Sequence, residues 1–180
     1  SVLASHPVGG RGARVDISSD ADMFVVGGAG AAPAGAKVVL RSDVLNSWGA
    51  ESILIGGLRR TTEDGTIVNV RTSAVTVDNP GASLSSPEIT LVSKSALTVT
   101  AGSKIMSSGS LTERSETLLL TGDGALLRVS GDKLTSTVRS SLAGSTKPLM
   151  TIGAGATISG AGVILDSTYA TSLSPTTVLN

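Results

Sequence analysis

The sequence predicts an all-β chain and, within that class, a right-handed parallel β-helix. Three observations predict it. Short apolar or β-branched runs recur along the 180 residues, often alternating with Ser, Thr, Lys or Arg, and each is closed within a few positions by Gly, Asp, Asn or Pro. That is the period of a strand with turn punctuation, and no stretch keeps helical spacing over three turns. Several runs also join into larger units that overlay on one another, as the rungs of a solenoid do.

In chain order the runs are "RVDIS" (14–18), "MFVVGG" (23–28), "KVVLRSD" (37–43), "SILIGG" (52–57), "TIVNVRT" (66–72), "AVTVDNPG" (74–81), "EITLVSK" (88–94), "ALTVTAG" (96–102), "TLLLTGDG" (117–124), "LLRVSG" (126–131), "LMTIGAG" (149–155), "ATISG" (156–160) and "VILDST" (163–168). "EITLVSKSALTVTAG", "TLLLTGDGALLRVSG" and "LMTIGAGATISG" overlay as strand, small-residue corner, strand and glycine stop. This places Val99, Val129 and Ile158 at equivalent positions about 30 residues apart. A propeller would need hairpin turns throughout and usually an aromatic core residue per blade, yet only "EDGT" and "GDGA" resemble such turns.

In a β-helix, equivalent positions of successive coils stack at roughly 4.8 Å, so aliphatic side chains fill the interior as ladders. Ile89, Leu91, Val99, Val129, Ile152 and Ile158 are expected to point inward. "SDVLNSWG" (42–49) fits either one helical turn, with Ser42 or Asp43 as N-cap and Gly49 as stop, or one more rung with Trp48 at its edge. The polar segments 107–116 and 132–148 read as loops leaving the coil on one side, where solenoids often carry binding surfaces.

The composition fits one domain, residues 1–180, with an aliphatic core: Phe24, Trp48 and Tyr169 are the only aromatics, against 22 Gly, 27 Ser and 20 Thr. The 14 basic and 14 acidic residues cancel and form no basic stripe, so nucleic acid and anionic membranes are not expected partners. The absence of cysteine removes disulfides, thiolate metal sites and cysteine nucleophiles. No apolar stretch approaches the roughly 18 residues that a membrane helix needs, and the first 30 residues have no continuous apolar signal core. The direct opening into strand-like sequence reads as a segment of a longer polypeptide or a processed product.

Candidate chemical sites are weak, and none is expected to be catalytic, cofactor-binding or metal-binding. The glycines of "TIGAGATISGAG" (151–162) would cradle a phosphate only if they opened a helix; "VILDST" follows instead, so they turn the chain between rungs. His6 would need an N-terminal arm folding back to join a Ser–His–Asp triad. "SGDK" (130–133) matches the S-x-x-K pattern without its partner motifs and reads as a glycine corner. The carboxylate pairs Asp20/Asp22 and Glu63/Asp64 are the acids that a polysaccharide lyase or glycosidase could use, but aromatic sugar platforms are scarce. Asp16, Asp20 and Asp22 lack the glycine and terminal glutamate of a calcium loop and read as a solvated turn.

"GAESILIGGLRR" (49–60), "SAVTVDNPGASLSSPEITLVSKSALTVTAGSKI" (73–105), "ALLRVSGD" (125–132) and "LMTIGAGATISGAGVILDST" (149–168) resemble a segment of filamentous-haemagglutinin-like large exoproteins, the adhesins of two-partner secretion systems. The similarity runs from about Val38 to Ser172. The resemblance implies a β-helix shaft exported by an outer-membrane two-partner secretion transporter and used at the bacterial cell surface, outside the cell, in adhesion, biofilm formation or contact-dependent competition; it does not name the host or neighbouring-cell receptor. It transfers no catalytic residue. The expected function is therefore structural or adhesive rather than enzymatic, the alternative being a β-helix enzyme acting on polysaccharide. Neither end shows a capping helix, so the isolated chain is expected to self-associate end to end into dimers or fibres, or to be held between continuing coils of a parent protein.

Overall fold

The computed structural model of the chain describes residues 12–28 and 32–180. The described residues form nineteen strands and one short helix. In the first part of the chain these are β1 (Arg14–Ile17), β2 (Met23–Val26), β3 (Val38–Arg41), α1 (Ser42–Ser47), β4 (Ser52–Ile55), β5 (Gly57–Thr62), β6 (Gly65–Val70) and β7 (Ala74–Asp78). The middle holds β8 (Leu84–Ser86), β9 (Glu88–Ser93), β10 (Ala96–Val99), β11 (Lys104–Ser107), β12 (Leu118–Thr121) and β13 (Ala125–Ser130). The last part holds β14 (Thr137–Ser140), β15 (Leu149–Ile152), β16 (Thr157–Ser159), β17 (Gly162–Ser167), β18 (Ala170–Leu173) and β19 (Val178–Leu179).

The strands make four sheets, and three of them share one apolar core. The first face is β1-β4-β9-β13-β17, the second β3-β2-β7-β10-β15-β18, and the third β8-β11-β16-β19. All pairings in the second and third faces are parallel. From β7 on the chain visits the faces in turn, β7–β8–β9 and then β10–β11, whereas the first part of the chain adds both β2 and β3 to the second face and no strand to the third. An undecorated pass takes 21 or 22 residues, as the paired positions Ala74 with Ala96 and Leu149 with Ala170 show.

Period-2 alternation then sorts the side chains. On the second face, Val25, Val77, Val99, Ile152 and Leu173 stack in register. On the third, Leu84, Ile105, Ile158 and Leu179 do the same. On the first, Val15, Ile53, Ile89, Val129 and Val163 form one ladder and Ile17, Ile55, Leu91, Leu127 and Leu165 another. Ile89, Leu91, Val99, Val129, Ile152 and Ile158 all lie in this core with at most 1% exposure. Each such side chain contributes about 1.5–3 kcal/mol on burial.

The equivalence of Val99, Val129 and Ile158 does not hold, because the three belong to three different faces. Val99 stacks on Val77 and Ile152. Apolar–polar alternation looks alike on every face, so the overlay matched strands that were not neighbours. The strands β12 and β13 also depart from the rung pattern. β12 leaves the core altogether, and β13 runs antiparallel to both β9 and β17. After β11 the chain crosses outward, runs along β12, turns through Gly122–Gly124 and enters the first face from its opposite end.

β5, β6, β12 and β14 form the fourth, outer sheet, in the order β14-β12-β6-β5. It lies over the outward side of the first face through Leu54, Val68, Val92, Leu118, Leu120 and Leu126. β9 and β13 are therefore buried at every position. "TIVNVRT", expected as a rung, is half of the β5–β6 hairpin, turned by "EDGT". The two polar segments are not free loops either: 132–148 contains β14, and 107–116 folds down onto the first face.

Residues 42–49 take the helical alternative, with Gly49 at φ 64° behind the end of α1. The N-cap is Arg41, with no side-chain cap bond, rather than Ser42 or Asp43. The buried Ser42 hydroxyl instead accepts from the Asn79 side-chain amide at 3.2 Å. α1 packs against β8, the first strand of the third face. The expectation that neither end carries a cap therefore fails at that edge.

Candidate functional site

The outer sheet encloses a charged seam against the first face. Two outward rows of that face supply it. Arg14, Ser52, Glu88 and Ser130 stand in one row and Asp16, Leu54, Thr90 and Arg128 in the next. A charge at a position covered on both sides must be paired, since an isolated buried ion costs several kcal/mol.

Arg128 has no exposed surface and bonds through all three guanidinium nitrogens. Its Nε and Nη2 donate to Glu88 Oε1 at 3.2 and 2.7 Å. Nη1 donates to the Ser136 carbonyl at 2.6 Å, and Nη2 also to the Glu116 carbonyl at 2.8 Å. Glu88 accepts a further bond from the Ser52 hydroxyl at 2.8 Å. Burial alone would push the Glu88 carboxyl up, but the Arg128 guanidinium and the Ser52 hydroxyl outweigh it and hold the group below the usual glutamate range.

The seam continues to both sides. Arg59 reaches in from β5, its backbone N–H and its Nε each donating to Asp16 at 2.6 Å and its Nη1 to Ser52 Oγ at 2.6 Å. Arg14 makes a paired contact with Glu116 at 2.9 and 3.2 Å, and Glu116 also accepts from the Thr66 hydroxyl. That contact raises the Arg14 pKa, since the Glu116 hydrogen bond outweighs desolvation. Segment 107–116 closes the seam as Thr112 donates to Glu51 through its backbone N–H at 2.6 Å and its hydroxyl at 2.9 Å.

Carboxylates and guanidinium groups thus converge in one place, the arrangement that a glycan-cleaving enzyme would need. Here the cavity between them has a volume of about 30 Å³. That is room on the scale of a water molecule, not of a sugar ring. What this geometry does chemically is bind segments 57–70 and 107–116 to the first face.

The residues singled out from the sequence lie elsewhere or have other tasks. Asp16 is held by Arg59, while Asp20 is an exposed partner of Arg71 at 3.5 Å. Glu63 and Asp64 form the exposed β5–β6 turn. No group of three potential metal-ligating side chains occurs among the described residues. His6 lies outside the described residues. In "SGDK", Ser130 is buried and shares a hydrogen bond with Ser115 at 2.6 Å, and Asp132 accepts from the Leu134 and Ser115 N–H groups at 2.9 and 3.0 Å. These two backbone bonds lower the Asp132 pKa and make the stretch a corner.

Gly153, Gly155 and Gly160 also form corners, while Gly162 opens β17. A Cβ on Gly153 would stand 2.6 Å from the Ala101 nitrogen of the neighbouring pass, which forces glycine there. Arg14, Glu51, Arg59, Glu88, Glu116 and Arg128 were not singled out. A signal for one of them was present: Arg128 interrupts "ALLRVS", where a run apolar on both faces demands a buried partner for any charge.

No family model, curated protein or solved structure matches the chain.

Proposed function

We propose that the three faces form a right-handed parallel β-helix and that the chain is a structural or adhesive shaft segment of a secreted cell-surface exoprotein. The register carries this reading: aliphatic residues stack in line through up to five successive levels, as in the Val25–Val77–Val99–Ile152–Leu173 ladder, and the two undecorated steps, Val77 to Val99 and Ile152 to Leu173, take 22 and 21 residues. A right-handed course is the rule for parallel crossovers. The stretches "GAESILIGG" and "VSGD" support the likeness to filamentous-haemagglutinin-like exoproteins, and with it export through an outer-membrane transporter. End-to-end association belongs to the same proposal: Leu173, Val178 and Leu179 of the last pass are 43–45% exposed, on strands that end their sheets. An apolar strand edge of this kind templates further pairing.

The test is antibody labelling of unpermeabilised source cells, combined with adhesion of beads coated with the purified chain. Surface labelling that protease shaving removes, together with saturable bead adhesion, is expected. Labelling that appears only after permeabilisation would overturn the reading. Small-angle scattering of the chain checks the coil itself, since four to five passes at roughly 4.8 Å set the length along its axis.

A further inference from the structure

The pairing in the outer sheet stops short of the strand ends, and we infer that the groove there, between the end of β6 and residues 143–146, binds an extended acidic peptide, which adds as a strand beside the end of β6. The two strands pair only through Leu118 with Thr66 and Leu119 with Ile67. β6 then continues to Val70 and β12 to Thr121, so the strands part and leave a wedge. A groove of about 660 Å³ occupies it, a size typical of ligand clefts.

The wedge presents backbone as well as side chains. The Thr66 N–H points across to β12 and donates to the Thr117 carbonyl at 2.9 Å. By strand alternation, the Val68 carbonyl and the N–H and carbonyl of Val70 face the same way, beyond the Val68 N–H, which the Leu119–Ile67 pairing uses. An entering strand finds there the edge that β-strand addition requires. β6 is already paired on its other side with β5 over its full length, so the platform is rigid.

Side chains decide the chemistry of the guest. Arg60 and Lys94 are exposed at the groove, and neither meets a carboxylate among the described residues. The one acid, Asp123, is turned to the wall: it accepts from the Thr146 N–H at 3.3 Å, and although desolvation pushes its pKa up, the bonds from Thr146, Gly144 and Ser145 together outweigh it and hold the pKa down. The groove therefore offers two unpaired cations and an apolar floor that includes Leu58, which is 43% exposed. Carboxylates alternating with aliphatic side chains complement it, and no aromatic ring is present to stack on a sugar. The wedge lies outside the coil, so this inference stands or falls separately from the shaft reading.

The probe is a fluorescein-labelled, end-blocked octapeptide alternating glutamate and valine, followed by fluorescence anisotropy and by amide NMR of the full chain. Expected are saturable binding, shifts concentrated at the Val70 and Thr121 amides, and at least about tenfold weaker binding to the folded Arg60→Glu/Lys94→Glu variant. A peptide N-methylated at alternate amides should bind at least about tenfold more weakly, because it cannot form the strand bonds. No saturable binding up to about 1 mM, equal binding of the N-methylated peptide, or equal binding by the double variant overturns the inference. So does binding of a sulfated oligosaccharide at this groove with none of the peptide.

Discussion

The side-chain amide of Asn46 stands in the place of a strand beside Ser85. Its Oδ1 accepts from the Ser85 N–H at 2.8 Å, and its Nδ2 donates to the Ser83 carbonyl at 2.9 Å. One residue of α1 thereby satisfies the free edge of β8, which would otherwise template pairing with another chain. Asn46→Ala should speed hydrogen exchange at the Ser85 amide and cost about 1 kcal/mol. It should also raise concentration-dependent association in sedimentation. Unchanged exchange at Ser85 would show that the side chain is not the cap.

Glu88→Gln should destabilise the chain by about 3 kcal/mol in denaturant unfolding, because it leaves the fully buried Arg128 without its counter-ion. Glu88→Met combined with Arg128→Met should be less damaging than Glu88→Gln alone, since no lone charge then remains. A strictly additive double variant would count against a coupled pair.

The same residue sets an acid limit. The folded-state pKa of Glu88 lies below its unfolded value, so its contribution is complete above the ordinary glutamate range and is lost as pH falls through the lowered folded value. Stability plotted against pH should therefore fall on the acid side, and Glu88→Gln should flatten that fall.

Val99→Asp places an unpaired charge between Val77 and Ile152 in the middle of a ladder. It should abolish the cooperative thermal transition. Val99→Ala, which only removes methyl groups, should fold with a lowered Tm. An unchanged Tm in the aspartate variant would refute the inward placement.

Gly56, at φ 98°, joins β4 to β5, and a Cβ there would stand 1.9 Å from the Val92 carbonyl oxygen. Its own carbonyl accepts from the Arg71 and Thr72 N–H groups at 2.9 and 3.1 Å. Gly56→Ala should cost at least about 3 kcal/mol, since neither backbone can yield without breaking strand pairing. A variant of near wild-type stability would mean that the outer sheet is not anchored at this corner.

Limited trypsin digestion should begin at Arg114 and Lys133, both exposed in segments without regular structure. Arg139 was equally eligible from sequence but should be slow: it lies in β14, with its guanidinium on Asp166 at 2.8 Å and on the Gly122 carbonyl at 3.0 Å. Mass spectrometry of the first fragments distinguishes the two outcomes.

The sequence by itself determined the all-β class, the aliphatic interior and the glycine corners. Alternation and turn chemistry are local properties, and Val99 or Ile158 faces inward whichever strand lies beside it. Register was not local. "ALLRVS" and "EITLVS" are similar words, yet β13 runs against β9, because direction depends on where the chain re-enters the face after its detour through β12. The charged seam was hidden for the same reason: Arg14 and Glu116 are 102 residues apart, and Asp16 and Arg59 are 43 apart. Only the folding of the outer sheet over the first face removes water from both sides of Arg128, and that burial makes its pairing with Glu88 obligatory.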